Sequence, residues 1–355
     1  MAMERVGSSI AEELTGLAFG DYSDVRLAKF KRVQNHVVLT NPNVVHPQLQ
    51  FAENQPTDAA FFVHSPADAA HADEAVVYLE IWPENHHRSA LLERIPFTDE
   101  LGIRYRDIDY KGVGDIDIDR QTKKVVILTP GLLYWQDGDL VRERKGLLSK
   151  KDAMHDYGKT EELARLGIRT ARTLAIILLD ELIIDGNTVS LADAIEAGIL
   201  DGEFNPVIQV RAFATKARIR DLISKDRVKM LRFREDPIRN VLFEDAKSLV
   251  SEELGQDEIS DEDYLVWFAQ TLGSNVGLLH KAGYAHRFLY SHNITLDCRL
   301  VDFDSIRILE DEKQREHDLR TSLSSLHALA KLVKPELREE LEALFLDNYS
   351  EVTGI

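Results

Sequence analysis

The period of the hydrophobic pattern changes near residue 238, and this change constrains the fold more than any other feature. Before it, short apolar runs such as residues 75–82 (AVVYLEIW) are separated by turn-forming residues, which is typical of strands. After it, apolar residues recur every three or four positions, and residues 264–279 form one long amphipathic stripe. The order predicts an α+β fold with two lobes: an N-terminal extension and strand-rich N-lobe over residues 1–205, and a helix-rich C-lobe over residues 206–355.

The local pattern of the sequence also predicts further strands and helices. The first hundred residues look irregular apart from the strand at residues 75–82. The other predicted elements are a hairpin of residues 123–128 with 132–141, which turns at 129–131 and has a second turn at 137–139, a helix at 160–166, strands at 171–184 and 206–213, and closing helices at 311–333 and 335–347.

Composition excludes several classes of function. The formal charge of -18 over 355 residues disfavours a nucleic-acid or anionic-membrane surface, since such surfaces depend on Lys and Arg. The single cysteine, Cys298, excludes an intrachain disulfide framework. No apolar run reaches transmembrane length and the N-terminus lacks a signal-peptide apolar region, so we expect a cytoplasmic protein.

Asn293 and Asp302 are the candidate metal ligands. Two short runs, residues 294–296 and 299–301, favour a tight hairpin that turns at residues 297–298. The hairpin would place an amide and a carboxylate at its two facing ends, and Mg²⁺ or Mn²⁺ prefers oxygen ligands of this kind. The alternative is an ordinary hairpin whose Asn and Asp cap its ends.

Residues 286–293 (HRFLYSHN) follow the long predicted helix and precede this hairpin. Their layout is that of a kinase catalytic loop, which favours the metal site over the ordinary hairpin. Phe288, however, stands where a protein kinase has its catalytic Asp.

Lys111 is the candidate nucleotide lysine. It stands at the end of a predicted strand and is followed by Gly112 and Gly114, which would let backbone approach phosphates closely. A surface turn is the alternative. Such a lysine needs an acidic partner, and three acids near the next predicted helix could supply it: Asp156, Glu161 and Glu162.

Arg211 and Arg218 lie seven residues apart around the end of a predicted strand. Two guanidinium groups that converge could bind a terminal phosphate bidentately. A solvated basic segment is the alternative, because Lys216 and Arg220 lie nearby. The histidines between residues 36 and 87 lack zinc-type spacing and indicate ordinary surface or core histidines.

Together these motifs resemble the selenoprotein O family of kinase-like enzymes, which transfer AMP to protein hydroxyls. The resemblance is ordered along most of the chain and is carried by residues 30–33 (FKRV), 41–42 (NP), 110–114 (YKGVG) and 166–174 (LGIRTARTL), by the spacing of Arg211 and Arg218, and by the spacing of His286, Asn293 and Asp302.

The resemblance implies a role for each site residue. Lys111 and Asp156 would hold the phosphates of ATP, Arg211 and Arg218 would bind its far end, and Asn293 and Asp302 would carry the metal. The family's proposed base, an Asp before the metal-binding Asn, is His292 here. A histidine is chemically credible as a general base at pH 7.

Two classes of function follow. The first is an ATP- and metal-dependent transferase that moves AMP to a protein or small-molecule hydroxyl, with phosphate transfer as the variant. The second is a pseudokinase that binds nucleotide without turnover, because both known acid positions are replaced.

Overall fold

The computed structural model describes most of the chain in two compact units. The described residues are 26–66, 76–82, 86–119, 122, 125–128, 133–136, 139–142, 146–223 and 233–354. The strand-rich unit comprises Met1–Met154 with Thr173–Ala212, and the helix-rich unit comprises His155–Arg172 with Phe213–Ile355.

The units alternate along the chain, whereas the sequence predicted one boundary between residues 205 and 206. Helix α1 (Lys150–Arg165) is divided between Met154 and His155. The later part of α1 belongs to the helix-rich unit because its side chains make contacts there; Lys159 Nζ, for example, donates to the Tyr284 hydroxyl at 3.0 Å. The chain returns to the strand-rich unit at Thr173 and leaves it again after Ala212. Arg211 therefore lies in the strand-rich unit, rather than with Arg218 as predicted.

The strands of the described residues have between two and ten residues each. They are β1 (Arg26–Arg32), β2 (Asn35–Thr40), β3 (Phe61–Pro66), β4 (Val76–Ile81), β5 (Ser89–Thr98), β6 (Arg104–Lys111), β7 (Asp115–Ile118), β8 (Val125–Leu128), β9 (Leu133–Gln136), β10 (Asp139–Arg142), β11 (Arg172–Leu179), β12 (Glu181–Ile184), β13 (Asn187–Ser190), β14 (Val207–Phe213), β15 (Tyr284–Ala285) and β16 (Arg307–Ile308).

Eight of these strands form one sheet in the order β2-β11-β14-β6-β5-β4-β1-β3. Strands β4, β5 and β6 are antiparallel neighbours, and β6 is flanked on its other side by β14. Burial of all seven β14 residues agrees with its central place in the sheet. The sheet thus brings Lys111 on β6 and Arg211 on β14 onto adjacent strands.

Several strand predictions were wrong. The described residues before position 100 are not irregular, because β1, β2, β3 and β5 pair into the sheet. Charged residues and histidines within these strands, such as the buried Lys29, obscured the apolar pattern. Among the described residues, β8 pairs with β7 rather than with residues 132–141. Strands β9 and β10 pair with each other on either side of the second predicted turn, at residues 137–139. The turn predicted at residues 129–131 lies outside the described residues.

The helix-rich unit is built on long helices with polar caps. Besides the later part of α1 it contains α3 (Pro237–Glu253), α4 (Asp261–Lys281), α5 (Glu312–Val333) and α6 (Arg338–Thr353), while the short α2 (Leu191–Glu196) belongs to the strand-rich unit. Ser260 caps α4 by accepting a hydrogen bond from the Asp263 N–H, and Asp311 caps α5 in the same way.

The predicted long helix is α4, and it packs closely against α6. A Cβ atom at Gly273 of α4 would lie 2.3 Å from the Phe345 carbonyl oxygen, so only glycine permits this approach. Tyr264, Phe268 and Leu272 of α4 are fully buried, as the predicted stripe requires. None of the described helices is both long enough and apolar enough to cross a membrane. The α+β class, with strands concentrated in the first half and helices in the second, is confirmed.

Candidate metal and nucleotide site

The predicted hairpin between Asn293 and Asp302 is present. The Thr295 N–H donates to the Arg299 carbonyl at 3.0 Å, and the Cys298 N–H donates to the Thr295 carbonyl at 2.9 Å. Cys298, at the turn, has a φ of 60° and is fully buried, and burial raises the pKa of its thiol well above the usual value. The turn is therefore tight and its thiol is unreactive.

Asn293 and Asp302 lie at neighbouring ends of this hairpin. The Val301 N–H donates to the Asn293 carbonyl at 3.1 Å, which places Asp302 beside Asn293 across the hairpin. The Asn293 side chain is buried and its Nδ2 donates to the Phe288 carbonyl at 2.9 Å, so its Oδ1 remains the end that can serve as a metal ligand. Asp302 has a left-handed backbone (φ 62°, ψ 62°), a conformation that is uncommon for non-glycine residues and is concentrated at functional sites.

Arg218 joins this pair. Its Nη1 donates to Asp302 Oδ2 at 3.0 Å and also to the His292 carbonyl oxygen. Segment 217–220 runs beside the loop, since the Ile219 N–H donates to the Ile294 carbonyl at 3.0 Å. Backbone pairing therefore fixes the guanidinium beside the carboxylate of Asp302, the candidate metal ligand.

His292 precedes Asn293 and is exposed. Its ring stacks on that of Tyr290, with centroids 5.9 Å apart and an interplanar angle of 12°. Partial burial and then the charge of Arg218 lower the pKa of His292 below its usual value of 6.5, against the opposing effect of Asp302. These effects favour the neutral imidazole at pH 7, and the ring is open to solvent.

The start of the loop is held by Asp318 of α5, which sequence reasoning missed. Its two carboxylate oxygens accept hydrogen bonds from the N–H groups of His286 and Arg287, both at 2.7 Å. The His286 Nε2–H donates to the Val301 carbonyl at 3.0 Å, and burial lowers the pKa of this histidine. A buried carboxylate thus holds the backbone at the start of the loop, and His286 ties the loop to Val301, the residue before Asp302.

Helix α4 anchors the other side of the hairpin. Asn275 Nδ2 donates to the Cys298 carbonyl at 2.8 Å, while Asn275 Oδ1 accepts from the Arg169 N–H at 3.1 Å. The Tyr264 hydroxyl donates to the Leu296 carbonyl at 2.6 Å. Asn275 and Tyr264 belong to the amphipathic stripe from which the helix was predicted. Their spacing indicated that they are buried, but it did not indicate their hydrogen bonds to the hairpin.

The three acids considered as lysine partners have different surroundings within the helix-rich unit. Glu161 forms a buried, bidentate ion pair with Arg172, with both contacts at 2.7 Å. Glu162 binds Lys159 and the Tyr284 hydroxyl. Asp156 accepts a hydrogen bond from the Phe303 N–H at 3.1 Å, next to Asp302. Asp156 thus contacts the backbone next to Asp302, the candidate metal ligand.

Lys111 and Arg211 are both buried in the strand-rich unit. Arg211 Nη2 donates to Asp109 Oδ2 at 2.6 Å, and both side chains are almost fully buried. Asp109 and Lys111 are two residues apart on β6 and so share one face of the strand. The sequence missed Asp109, although its alternation with Lys111 on one strand was a usable signal.

Gly112 and Gly114 have a packing reason to be glycines. Their φ angles are 98° and 101°. A Cβ at Gly112 would lie 2.3 Å from the Val207 carbonyl oxygen, and one at Gly114 would lie 2.5 Å from Val63 Cγ1. Tight packing alone therefore explains both glycines, and their predicted contact with phosphates remains a prediction.

The oxygen donors fit a hard divalent cation that shares its coordination with phosphates. No group of three or more His, Cys, Asp or Glu side chains suited to a metal occurs in the part of the chain that the structure describes. One amide and one carboxylate are the modest set by which Mg²⁺ is held when substrate phosphates and water complete its shell. The Asn293–Asp302 pair therefore fits a substrate-bridging ion.

No protein-family model matches the chain, and no curated protein matches it. Among solved structures, it is similar to a Toxoplasma gondii specific rhoptry antigen kinase domain, with 9% identity over 79% of this chain and 83% of that one and a TM-score of 0.35. It is also similar to WaaP in complex with acyl carrier protein, with 14% identity over 67% of this chain and 88% of that one and a TM-score of 0.24. These similarities do not identify the selenoprotein O family, which remains a prediction from the motifs.

Proposed function

We propose that the protein is an ATP- and divalent-metal-dependent transferase that moves AMP from ATP to a protein hydroxyl. One observation carries the proposal: the hairpin brings Asn293 and Asp302 together beside Arg218, with the exposed His292 adjacent. Two oxygen ligands, one cation and one proton acceptor are the parts that nucleotidyl transfer requires, because this chemistry depends mostly on positioning and charge stabilisation.

Each residue of the helix-rich unit has a distinct role in this proposal. Asn293 and Asp302 hold Mg²⁺ or Mn²⁺, which would neutralise charge on the phosphates when bound. Arg218, which donates to Asp302, would also donate to a phosphate oxygen. His292 accepts the proton of the attacking hydroxyl.

Nucleotide-binding roles for Lys111, Gly112, Gly114, Asp156 and Arg211 are part of the same proposal. The resemblance supports them, and so does the buried positive charge of Lys111 and Arg211 in the strand-rich unit. Asp109 offsets part of that charge, so Arg211 is held in a fixed direction rather than free to reorient.

A nucleotide-binding pseudokinase is the second candidate. Phe288 and His292 occupy the two places where kinase-like enzymes have acids, and this favours binding without turnover. Phosphate transfer to a protein or small molecule is a third outcome, which the same experiment separates.

Incubation with ATP labelled at the α or the γ phosphate, with and without Mn²⁺, tests the proposal. Label retained on protein only from the α position supports AMP transfer, and label only from the γ position indicates a kinase. Tight ATP binding with no label transfer would contradict the transferase and support the pseudokinase.

A further inference from the structure

Three rings form an exposed row on the loop beside the candidate metal site. Phe288 is 44% exposed and Tyr290 is 38% exposed, and both are among the most exposed large apolar side chains of the described residues. Phe288 and Tyr290 have ring centroids 6.4 Å apart, and Tyr290 stacks on His292. The loop alternates, with residues 288, 290 and 292 outward and Leu289 and Asn293 buried.

The backbone beneath this aromatic row (Phe288, Tyr290 and His292) is held rigidly. The Phe288 carbonyl accepts from Asn293 Nδ2 at 2.9 Å, and the Tyr290 carbonyl accepts from the Asn293 N–H at 2.8 Å. The Leu289 carbonyl accepts from the Ser325 hydroxyl at 3.1 Å. The His317 ring also packs edge-on against Tyr290, with centroids 6.3 Å apart. Because the rings are preorganised, a ligand that covers them would not have to order them first.

We propose that the aromatic row is the acceptor-binding surface and that it selects acceptors whose hydroxyl is carried on an aromatic ring, namely tyrosyl side chains of proteins. This inference rests on the proposed function and names its acceptor class. A tyrosyl ring stacked on Phe288 or Tyr290 covers apolar surface that is otherwise in water.

The chemistry of the acceptor agrees with the residues of the loop. A phenol has a pKa of about 10 in water and releases its proton far more readily than an aliphatic hydroxyl. It therefore demands less of the proton acceptor, in a site where neither expected acid is present. In the step, the phenolic oxygen bonds to the α phosphorus, the bond from that phosphorus to the bridging oxygen breaks, pyrophosphate leaves, and the phenolic proton passes to His292.

The test uses the full chain and three peptide pools that have identical degenerate flanks and a central Tyr, Ser or Phe. With α-labelled ATP, we expect the Tyr pool to be labelled at least about tenfold faster than the Ser pool. Phe288→Ala and Tyr290→Ala should each raise KM for the Tyr pool by roughly 3- to 10-fold, the size of a lost ring contact, with ATP affinity unchanged. Phe288→Tyr should retain most of the affinity, and Leu346→Ala, at a 38% exposed leucine elsewhere in the unit, should change nothing.

A binding measurement separates failure of this inference from failure of the transferase itself. Fluorescent Tyr, Ser and Phe peptides are titrated with the protein in the presence of Mg²⁺ and a nonhydrolysable ATP analogue. If no acceptor is labelled but the Tyr and Phe peptides bind through Phe288 and Tyr290, transfer is wrong and the ring-binding surface stands. If Ser and Tyr pools are labelled equally and the variants change nothing, the acceptor inference is wrong. A loss of ATP affinity in Phe288→Ala would assign the row to the adenine ring and overturn the inference.

Discussion

Arg211 and Arg218 lie seven residues apart, yet their environments differ. Arg211 lies in a buried pair that supports the fold, whereas Arg218 lies in a partly exposed pair at the candidate metal site. Arg211 pairs with Asp109 between strands β14 and β6, and the two side chains are 5% and 1% exposed. Arg218 pairs with Asp302, and there the side chains are 8% and 21% exposed. The first pair is closed to water, whereas the second leaves part of its carboxylate open.

A closed pair stabilises mainly by avoiding an unpaired buried charge, while an open pair can exchange one partner for a ligand. Asp302 also has a left-handed backbone, whereas Asp109 lies in regular strand. We therefore expect substitution of Asp302 to weaken ligand binding and substitution of Asp109 to destabilise the fold.

The largest expected effect is at the open pair. Asp302→Ala should abolish the part of ATP affinity that depends on metal, because it removes the single carboxylate ligand. Calorimetric titration of the protein with an ATP analogue, with Mg²⁺ and with chelator, measures this part. The control is Asp304→Ala, at an exposed carboxylate two residues along the chain, which should behave as wild type. Unchanged metal-dependent affinity in Asp302→Ala would discard the site.

The next prediction concerns His292, which lies beside the partly exposed pair of Arg218 and Asp302. If the imidazole accepts the proton, His292→Ala should lower turnover by about 10²- to 10⁴-fold while leaving ATP affinity nearly unchanged. Single-turnover label transfer and the calorimetric titration measure the two quantities separately. His155→Ala, at an exposed histidine of the same unit, is the matched control. A similar turnover in both variants would show that His292 is not the base.

A substitution in the closed pair of Arg211 and Asp109 should instead lower the free energy of unfolding. Asp109→Ala removes the carboxylate that Arg211 Nη2 contacts inside the strand-rich unit, and we expect the free energy of unfolding to fall by about 3–5 kcal/mol. Asp302→Ala should cost less, because its carboxylate is partly exposed and Arg218 keeps its bond to the His292 carbonyl. Urea unfolding of both variants makes the comparison. Equal losses would contradict the distinction between the pairs.

The smallest effect concerns Glu93, whose Oε1 lies 3.4 Å from His46 Nε2 in the strand-rich unit. His46 Nδ1 accepts from the N–H groups of Gln48 and Leu49, so its proton is on Nε2 and points toward Glu93. Burial raises the pKa of Glu93 from 4.5 to about 7 and lowers the pKa of His46 from 6.5 to about 4. The folded state thus holds the proton of Glu93 more tightly than the unfolded state does, and this contribution to stability is lost as pH rises from about 4.5 to 7.

Glu93→Gln has no carboxyl group to titrate at this position, so it does not lose this stability as the pH rises. Its free energy of unfolding should exceed that of wild type by about 1–3 kcal/mol at pH 8, and the difference should vanish near pH 4.5. The contribution of His46 is lost as pH falls from 6.5 to 4 in both proteins, so the difference isolates Glu93. Glu196→Gln, at an exposed glutamate of the same unit, is the control for charge removal. A difference that does not depend on pH would refute the assignment.

The sequence predicted the parts of the site that depend on local spacing. Asn293, Asp302 and the turn between them are close in the chain, so two short apolar runs and a turn were sufficient to place them. Helices α4 and α5 were predicted for the same reason, since a stripe at spacings of three and four is a local pattern.

Features that depend on distant partners were missed. Asp318 binds the loop from a point some thirty residues further along the chain, and Asp109 meets Arg211 across about a hundred residues. Strands β1 and β2 were also missed, because their polar residues are acceptable only within the completed sheet. Tertiary pairing, rather than local propensity, determines these elements.

Modification of Cys298 can report how often the hairpin opens. The chain has no other thiol, and this one is fully buried at the turn between the two candidate metal ligands. A thiol reagent can modify it only after the hairpin opens. The rate of modification therefore measures how often that part of the molecule opens, without any label being introduced, and slower modification in the presence of ATP and Mg²⁺ would locate their binding to the same segment.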